Sequence, residues 1–278
     1  MKFVLFALTG LGNVVLRTLL DRGIRPDLLI TREEKGAYPY EPIPFIGDLA
    51  SSSDVPWNTC SPDDQSFASC SDGLLLVATY HRIIRRNVLQ NFKTAINLHP
   101  SLLPHNRGSN PFFWSLRNGD KSAGVSAHAL TEGVDDGPIC MQASIDVGPN
   151  ETQTLLRHRL AHVAGKMSVD IVNQFRSETL VFKEQDARFA TSYPRLDEAA
   201  FQIDTNESAD QIRRHVNALR DWPLALLGGR RVRRLTQILE PSLVEPGTIL
   251  SENSAEYVVR VADADIVLEL ENGAAGNL

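Results

Sequence analysis

Short, nearly continuous apolar runs constrain what this chain can fold into. They cover residues 3–8, 74–78 and 94–98, with a shorter run at 28–30. A strand buried on both faces reads as such a run, whereas a half-exposed strand alternates apolar with polar residues. We therefore expect these runs to be strands in the middle of a parallel sheet.

Helical patterns separate the apolar runs. Residues 14–22 place their leucines and valines on one face, and residues 152–175 repeat apolar side chains every three or four positions. Two further strands are expected at 125–130 and 139–145. Strands that alternate with helices predict an α/β fold with a doubly wound, Rossmann-like sheet.

The pattern changes near residue 205. Ser208 and Gln211 have the spacing of a capping box at the start of a helix. Beyond that helix, alternation such as Tyr257, Val259 and Val261 is typical of β-strands. We predict a catalytic domain over 1–190, a linker over 191–204 and a small β domain over 205–278.

Charge and cysteine content exclude several classes of protein. With 28 Lys and Arg against 34 Asp and Glu, the net charge is −6, which disfavours a nucleic-acid binder acting through its whole surface. The three cysteines are widely spaced and form no CxxC pair, so we expect neither a disulfide framework nor a zinc site. No run approaches the roughly 18 apolar residues of a membrane span. These features predict a cytoplasmic protein with reduced cysteines and no membrane partner.

The densest group of reactive side chains lies in residues 97–108. Asn97 and His99 are two positions apart at the end of a predicted strand, so both point to one side of it. An amide donor beside an imidazole can stabilise an oxyanion and transfer a proton. Asp135 or Asp136, at the next strand and loop boundary, could orient the imidazole. On spacing alone, the alternative that Asn97 and His99 only satisfy loop backbone groups stays open.

Residues 97–108 and 134–138 closely resemble the formyltetrahydrofolate-dependent formyltransferases. The first segment, Asn-Leu-His-Pro-Ser-Leu-Leu-Pro followed by Arg-Gly, matches the family's hallmark, and the second matches its Gly-hydrophobic-Asp-x-Gly loop. The resemblance implies that Asn97 stabilises the developing oxyanion, that a protonated His99 polarises the formyl group and transfers protons, and that Asp135 favours this charged His99. Asp136 and Ser101 are then expected to shape their loops, and His128 to stand behind the site or in the core.

The resemblance also implies a co-substrate, 10-formyltetrahydrofolate, and no metal. Its pterin ring is expected against main-chain groups of the loop after residue 78. The residues assigned to this co-substrate are Tyr80, His81, Arg82, Ile83, Ile84, Thr131 and Gly133.

A turn near the amino terminus is a candidate for acceptor binding. Residues 10–13 lack the third glycine of a dinucleotide fingerprint, but the amino end of a helix there could hold a phosphate. The residues assigned to the acceptor are Thr9, Gly10, Gly12, Asn13 and Arg107.

The carboxyl-terminal part resembles the OB-like domain of methionyl-tRNA formyltransferase, with two departures. Residues 31–40 lack that enzyme's basic loop, and the final domain looks truncated. Residues 106–108 resemble sugar N-formyltransferases, so a nucleotide-linked amino sugar is the preferred acceptor. Hydroxyornithine and methionyl-tRNA remain alternatives, as does a non-catalytic folate- or nucleotide-binding module, and a homodimer is possible.

A cluster of arginines over residues 213–234 is consistent either with tRNA binding or with a structural role. It would bind phosphates in the first case. In the second it would form a solvated face or a subunit interface with acidic residues. Its members are Arg213, Arg214, Arg220, Arg230, Arg231, Arg233 and Arg234.

Overall fold

A computed structural model describes residues 2–33, 43–59, 61–64, 67–220 and 224–271. Cys60 and most of the 31–40 segment that departs from the tRNA enzyme lie outside these ranges. The chain divides into two compact units. The first comprises Met1–Pro111, Ser122–Asp146 and Arg157–Tyr193, and the second comprises Phe112–Lys121, Val147–Leu156 and Pro194–Leu278. The domain bounds drawn from the sequence stay a prediction.

A seven-stranded sheet forms the first unit, in the order β3-β2-β1-β4-β5-β7-β8. All five residues of β1 and of β4 are buried, as their continuous apolar runs predict. The strands are β1 (Phe3–Ala7), β2 (Leu28–Ile30), β3 (Trp57–Asn58), β4 (Leu74–Ala78), β5 (Thr94–His99), β7 (Ser122–Ala129) and β8 (Ile139–Asp146). A separate two-stranded parallel pair joins β6 (Arg107–Gly108) to β9 (Ser192–Tyr193).

The α/β fold with a Rossmann-like sheet is confirmed, and its strand directions are mixed. Strands β1 to β5 pair in parallel, whereas β7 pairs antiparallel with both β5 and β8. The loop from β7 to β8 is too short for a crossover, which needs about a dozen residues or more, so these neighbours must run in opposite directions. In the antiparallel pair of β5 and β7, His99 at the carboxyl end of β5 lies opposite Ser126.

Six α-helices occur in the described part of the chain. The helix predicted at 14–22 begins earlier, at Leu11, and the one predicted at 152–175 is observed at nearly those bounds. None of the described helices has the length and apolar character to span a membrane. The helices are α1 (Leu11–Asp21), α2 (Ile46–Ser52), α3 (Arg86–Leu89), α4 (Pro111–Asn118), α5 (Gln153–Arg176) and α6 (Ala209–Ala218).

The second unit contains a five-stranded antiparallel sheet, in the order β10-β11-β14-β13-β12. The predicted capping box starts α6, because the Ser208 hydroxyl accepts from the Gln211 N–H while the Gln211 side chain accepts from the Ser208 N–H. The strands are β10 (Ala225–Leu227), β11 (Arg230–Leu239), β12 (Ile249–Glu252), β13 (Glu256–Arg260) and β14 (Asp265–Leu270). The predicted β-rich character of the carboxyl-terminal part is thus confirmed, with α6 packed against β11.

Replacing Ser208 with Ala should destabilise the second unit by about 1 kcal/mol, because one helix N–H then loses its capping partner. Urea unfolding followed by circular dichroism measures this loss. Ser251→Ala, on the exposed strand β12, is the matched control and should leave the unfolding free energy unchanged. Equal effects of the two substitutions would contradict the capping role.

Candidate active site

The last residues of β5 present the first two candidate groups. Asn97 and His99 flank the buried Leu98, so their side chains leave the strand on the same side, as predicted. The register pairs Asn97 with His128 of β7. His99 is 5% exposed, which places its imidazole within the protein at the strand end.

Asp135 reaches the same point from the loop between β7 and β8. Its backbone φ is 52°, a left-handed conformation that aspartate tolerates better than most residues. One carboxylate oxygen accepts from the Gly108 N–H at 2.9 Å and lies 3.5 Å from His99 Nδ1. The other lies 3.4 Å from Asn97 Nδ2. The structure therefore brings together Asn97, His99 and Asp135, the three predicted catalytic residues.

Opposing effects set the protonation state of His99 in the resting protein. Its Nε2 lies 2.9 Å from the Asn106 carbonyl oxygen, so Nε2 carries the proton and donates it there. Burial lowers the pKa of His99, although the Asp135 carboxylate and the Asn106 carbonyl oppose this. Because burial has the largest effect, the neutral imidazole is favoured in the resting protein, and the protonated His99 that the resemblance implies stays a prediction for the oxyanion stage of the reaction.

Asp135 is ionised in the same environment. Burial would raise its pKa, but the hydrogen bond with His128, the charge on His99 when protonated, and the Gly108 N–H together lower it to about 2. A fixed carboxylate therefore faces a neutral imidazole at a distance from which it can stabilise a proton arriving at Nδ1.

His128 also belongs to the site, which the sequence left undecided. It is 1% exposed, and its Nδ1 donates to the Ala129 carbonyl at 2.9 Å. Its Nε2 lies 3.2 Å from Asn97 Nδ2 and 3.4 Å from Asp135 Oδ1. His128 thus orients the Asn97 amide, a role that only the pairing of β5 with β7 reveals.

The predicted loop-shaping residues behave as expected. The Ser101 hydroxyl is buried and donates to the His105 carbonyl at 2.7 Å. Asp136 accepts from the Thr131 hydroxyl, and its carboxylate lies where a side chain on Gly133 would stand. Neither Ser101 nor Asp136 points to the reactive groups.

Two loops expected to hold the co-substrate are joined to each other. Arg86, just after the first loop, forms an ion pair with Glu132 of the second at 3.2 Å. In the first loop, Tyr80 packs on Phe6 with ring centroids 5.2 Å apart, and Ile84 also contacts the apolar core. Its other members, His81, Arg82 and Ile83, are exposed.

Residues of the amino-terminal turn have structural partners. The Thr9 hydroxyl is buried and accepts from the Ile46 N–H, while Asn13 bonds to the Gly10 N–H and the Pro44 carbonyl. A Cβ on Gly12 would come within 2.8 Å of the Ala7 Cβ, so close packing requires glycine there. The assignment of this turn to the acceptor stays a prediction.

Most of the arginine cluster is paired with carboxylates of the same unit. Arg213 and Arg214 both bind Asp210, and three arginines of β11 bind glutamates on β12, on β14 and just after β14. The latter pairs are Arg230 with Glu252, Arg231 with Glu271, and Arg234 with Glu269. These contacts support the structural alternative for five of the seven arginines.

Family models match both parts of the chain. Residues 64–172 match the model described as formyl transferase, and residues 195–274 match its C-terminal domain. Methionyl-tRNA formyltransferase of Thermodesulfovibrio yellowstonii is 30% identical over 248 residues, which is 84% of this chain and 79% of that protein. The chain belongs to the formyltransferase family.

A second sequence relative and a solved structure are also similar to this chain. The Aromatoleum aromaticum methionyl-tRNA formyltransferase is 33% identical over 203 residues, covering 72% of this chain and 61% of that enzyme. The Helicobacter canadensis N-formyltransferase, solved with folinic acid and dTDP-3-aminofucose, has a TM-score of 0.78 at 15% identity. That similarity covers 98% of this chain and 100% of that one, and it shows a shared fold.

The segment after α5 also contacts the candidate site, and no sequence pattern predicted this. The Asn106 N–H donates to the Thr191 hydroxyl at 2.8 Å, and Arg107 donates through two guanidinium nitrogens to Gln185. These residues lack periodicity, so no local pattern marks them. Within the described ranges, no group of three or more His, Cys, Asp or Glu side chains could hold a metal.

The titration of His99 tests the geometry directly. We expect its imidazole to titrate below pH 6.5, because burial lowers its pKa, and Asp135→Asn to lower the midpoint further by removing a charge that favours the proton. Two-dimensional NMR of the ring resonances measures both midpoints, and a His99→Gln variant assigns the signal. A midpoint above 6.5, or one that rises in Asp135→Asn, would contradict the arrangement.

Proposed function

We propose that this protein transfers the formyl group of 10-formyltetrahydrofolate to a primary amine. The observation that carries this proposal is the convergence of the Asn97 amide, the neutral His99 imidazole and the ionised Asp135 carboxylate at the end of β5. An amide donor, a base and a group that stabilises the protonated base are what acyl transfer to an amine needs.

Each group has a separate task. The Asn97 amide donates to the formyl oxygen, where negative charge develops as the amine attacks. His99 accepts a proton from the attacking nitrogen at Nδ1 and later returns it towards the departing nitrogen. Asp135, 3.5 Å from that Nδ1, stabilises the imidazolium while it exists.

The two joined loops suit the co-substrate, which supplies an activated formyl group. Ile83 is 84% exposed and Val134 is 60% exposed, so apolar side chains stand open to solvent on both loops. An aromatic ring system can cover such side chains while main-chain groups recognise its edge. Tyr80, Ile84, Thr131 and Gly133 would shape these loops from beneath.

A nucleotide-linked amino sugar is our preferred acceptor. The Helicobacter canadensis neighbour was solved with such a compound and shares the fold over nearly the whole of both chains. Helix α1 has no acidic residue in its first turn, so its amino end can receive a phosphate. The paired arginines favour a compact acceptor, because carboxylates already neutralise charge that tRNA phosphates would require.

Methionyl-tRNA is the second candidate, and one observation favours it. The relatives at 30% and 33% identity are both named methionyl-tRNA formyltransferases. Hydroxyornithine is a third acceptor with no phosphate. A folate-binding module without activity would have no use for an ionised Asp135 beside His99.

Turnover with a set of amines tests the proposal. We expect tetrahydrofolate release with nucleotide-linked amino sugars, and slower or no release with hydroxyornithine or initiator methionyl-tRNA. The matched control replaces the amino group of the sugar nucleotide by hydroxyl, and this compound should compete without turnover. Competition should weaken only modestly with salt, because about two phosphates are engaged rather than the 6–10 of a tRNA-sized contact.

Two outcomes would contradict different parts of the proposal. Turnover of methionyl-tRNA with a steep salt dependence, and none of any sugar nucleotide, would make the sugar acceptor wrong. Release of tetrahydrofolate with no amine at all would make formyl transfer itself wrong.

A further inference from the structure

Gln185 links the two loops that form the active site. It lies in the irregular segment after α5 and uses both ends of its side-chain amide. Nε2 donates to the carbonyl oxygens of Asp135 and Gly137, each at 2.8 Å. Oε1 accepts from Arg107 Nη2 at 2.7 Å and from Arg107 Nε at 3.2 Å. Both N–H groups and the oxygen of the Gln185 amide therefore bond to these two loops.

The donor half of Gln185 holds the turn that contains Asp135. Asp135 has a backbone φ of 52°, a conformation that must be maintained by its surroundings. Two hydrogen bonds to the carbonyls of Asp135 and Gly137 fix the Asp135–Asp136 and Gly137–Pro138 peptide planes. Because the first of these planes adjoins the Asp135 Cα, it helps to set the direction of that side chain and its distance to His99, while the second holds the far end of the same turn.

The acceptor half of Gln185 holds the loop on the other side of the site. Arg107 lies between Asn106, whose carbonyl accepts from His99, and Gly108, whose N–H donates to Asp135. A guanidinium fixed by two hydrogen bonds restrains both neighbours. Gln185 thus connects the main chain of Asp135 to the main-chain groups that contact Asp135 and His99.

Backbone pairing places Gln185 at this position. On its amino side, Lys183 exchanges two hydrogen bonds with Ile139, of 2.8 and 2.9 Å. On its carboxyl side, Thr191 binds Asn106, and β9 pairs with β6. Anchors on both sides leave the side chain little freedom, which lowers the entropy cost of its four hydrogen bonds.

We propose that Gln185 is a positioning residue for formyl transfer, which sets the Asp135 to His99 geometry from outside the signature segments. The proposal rests on the proposed function for its activity readout. It also predicts a property of the unliganded protein, the titration midpoint of His99, which does not depend on any substrate.

Two substitutions separate the halves of the amide. Gln185→Met keeps a similar length and removes every hydrogen bond. Gln185→Glu keeps acceptors for Arg107 but places carboxylate oxygens against the carbonyls of Asp135 and Gly137. Gln237→Met, on the exposed part of β11, is the matched control.

We expect both Gln185 variants to lose about tenfold or more in kcat with formyl-folate KM changed by less than about threefold, because misplacement of reacting groups affects turnover more than binding. In Gln185→Met, the NMR midpoint of His99 should fall, because Asp135 no longer holds its carboxylate close. Circular dichroism and melting should match the control variant.

Several results would overturn the proposal. Unchanged kcat and an unchanged His99 midpoint in Gln185→Met would show that the contacts do not position the site. Near-normal turnover of Gln185→Glu would show that the donor half is dispensable. If wild-type protein formylates no amine, the proposed function fails, and the His99 midpoint in Gln185→Met still decides whether Gln185 positions the pair.

Discussion

The Asp135 carboxylate is the interaction on which the candidate site depends. It is fixed by the Gly108 N–H, lies near both histidines and the Asn97 amide, and remains ionised with a pKa of about 2. Burial alone would have made this charge unfavourable, so the surrounding donors are necessary for it to persist. The neutral His99 beside it can therefore gain a proton during a reaction without leaving an unpaired buried charge. The strained turn at Asp135, the pairing of β5 with β7 and the Gln185 bonds all serve this one arrangement.

Much of the fold could be predicted from local patterns. Continuous apolar runs identified β1, β4 and β5, because strands buried on both faces have no polar positions. The capping box identified the start of α6. The direction of β7 and β8 was not predicted, since side-chain pattern is the same in parallel and antiparallel strands. Helix α2 was also not predicted, because it has only seven residues, several of them small or polar, and no side-chain cap at its start.

The candidate site likewise contains residues that the sequence predicts and residues that only the structure identifies. Residues 97–108 and 134–138 were recognisable because they are contiguous in sequence, and the structure brings their key side chains together. His128 and Gln185 were not assigned because their roles come from register and from a segment without periodicity. The neutral resting state of His99 could not be inferred from sequence, because the sequence shows its partner Asp135 but not its burial, and burial has the larger effect on its pKa. The partners of the strand arginines were also not evident from sequence, because Glu252, Glu269 and Glu271 lie more than 20 residues away along the chain.

Formyl transfer to an amine can be followed through the formyl carbon itself. Wild-type protein is supplied with a nucleotide-linked amino sugar and with 10-formyltetrahydrofolate whose formyl carbon carries an isotope label, and the label is followed by NMR. We expect the folate-bound signal to be replaced by a formamide signal on the sugar nitrogen, and His99→Asn to slow this replacement about a hundredfold or more. Appearance of free formate in place of the formamide, or a His99→Asn rate within about tenfold of wild type, would contradict this expectation.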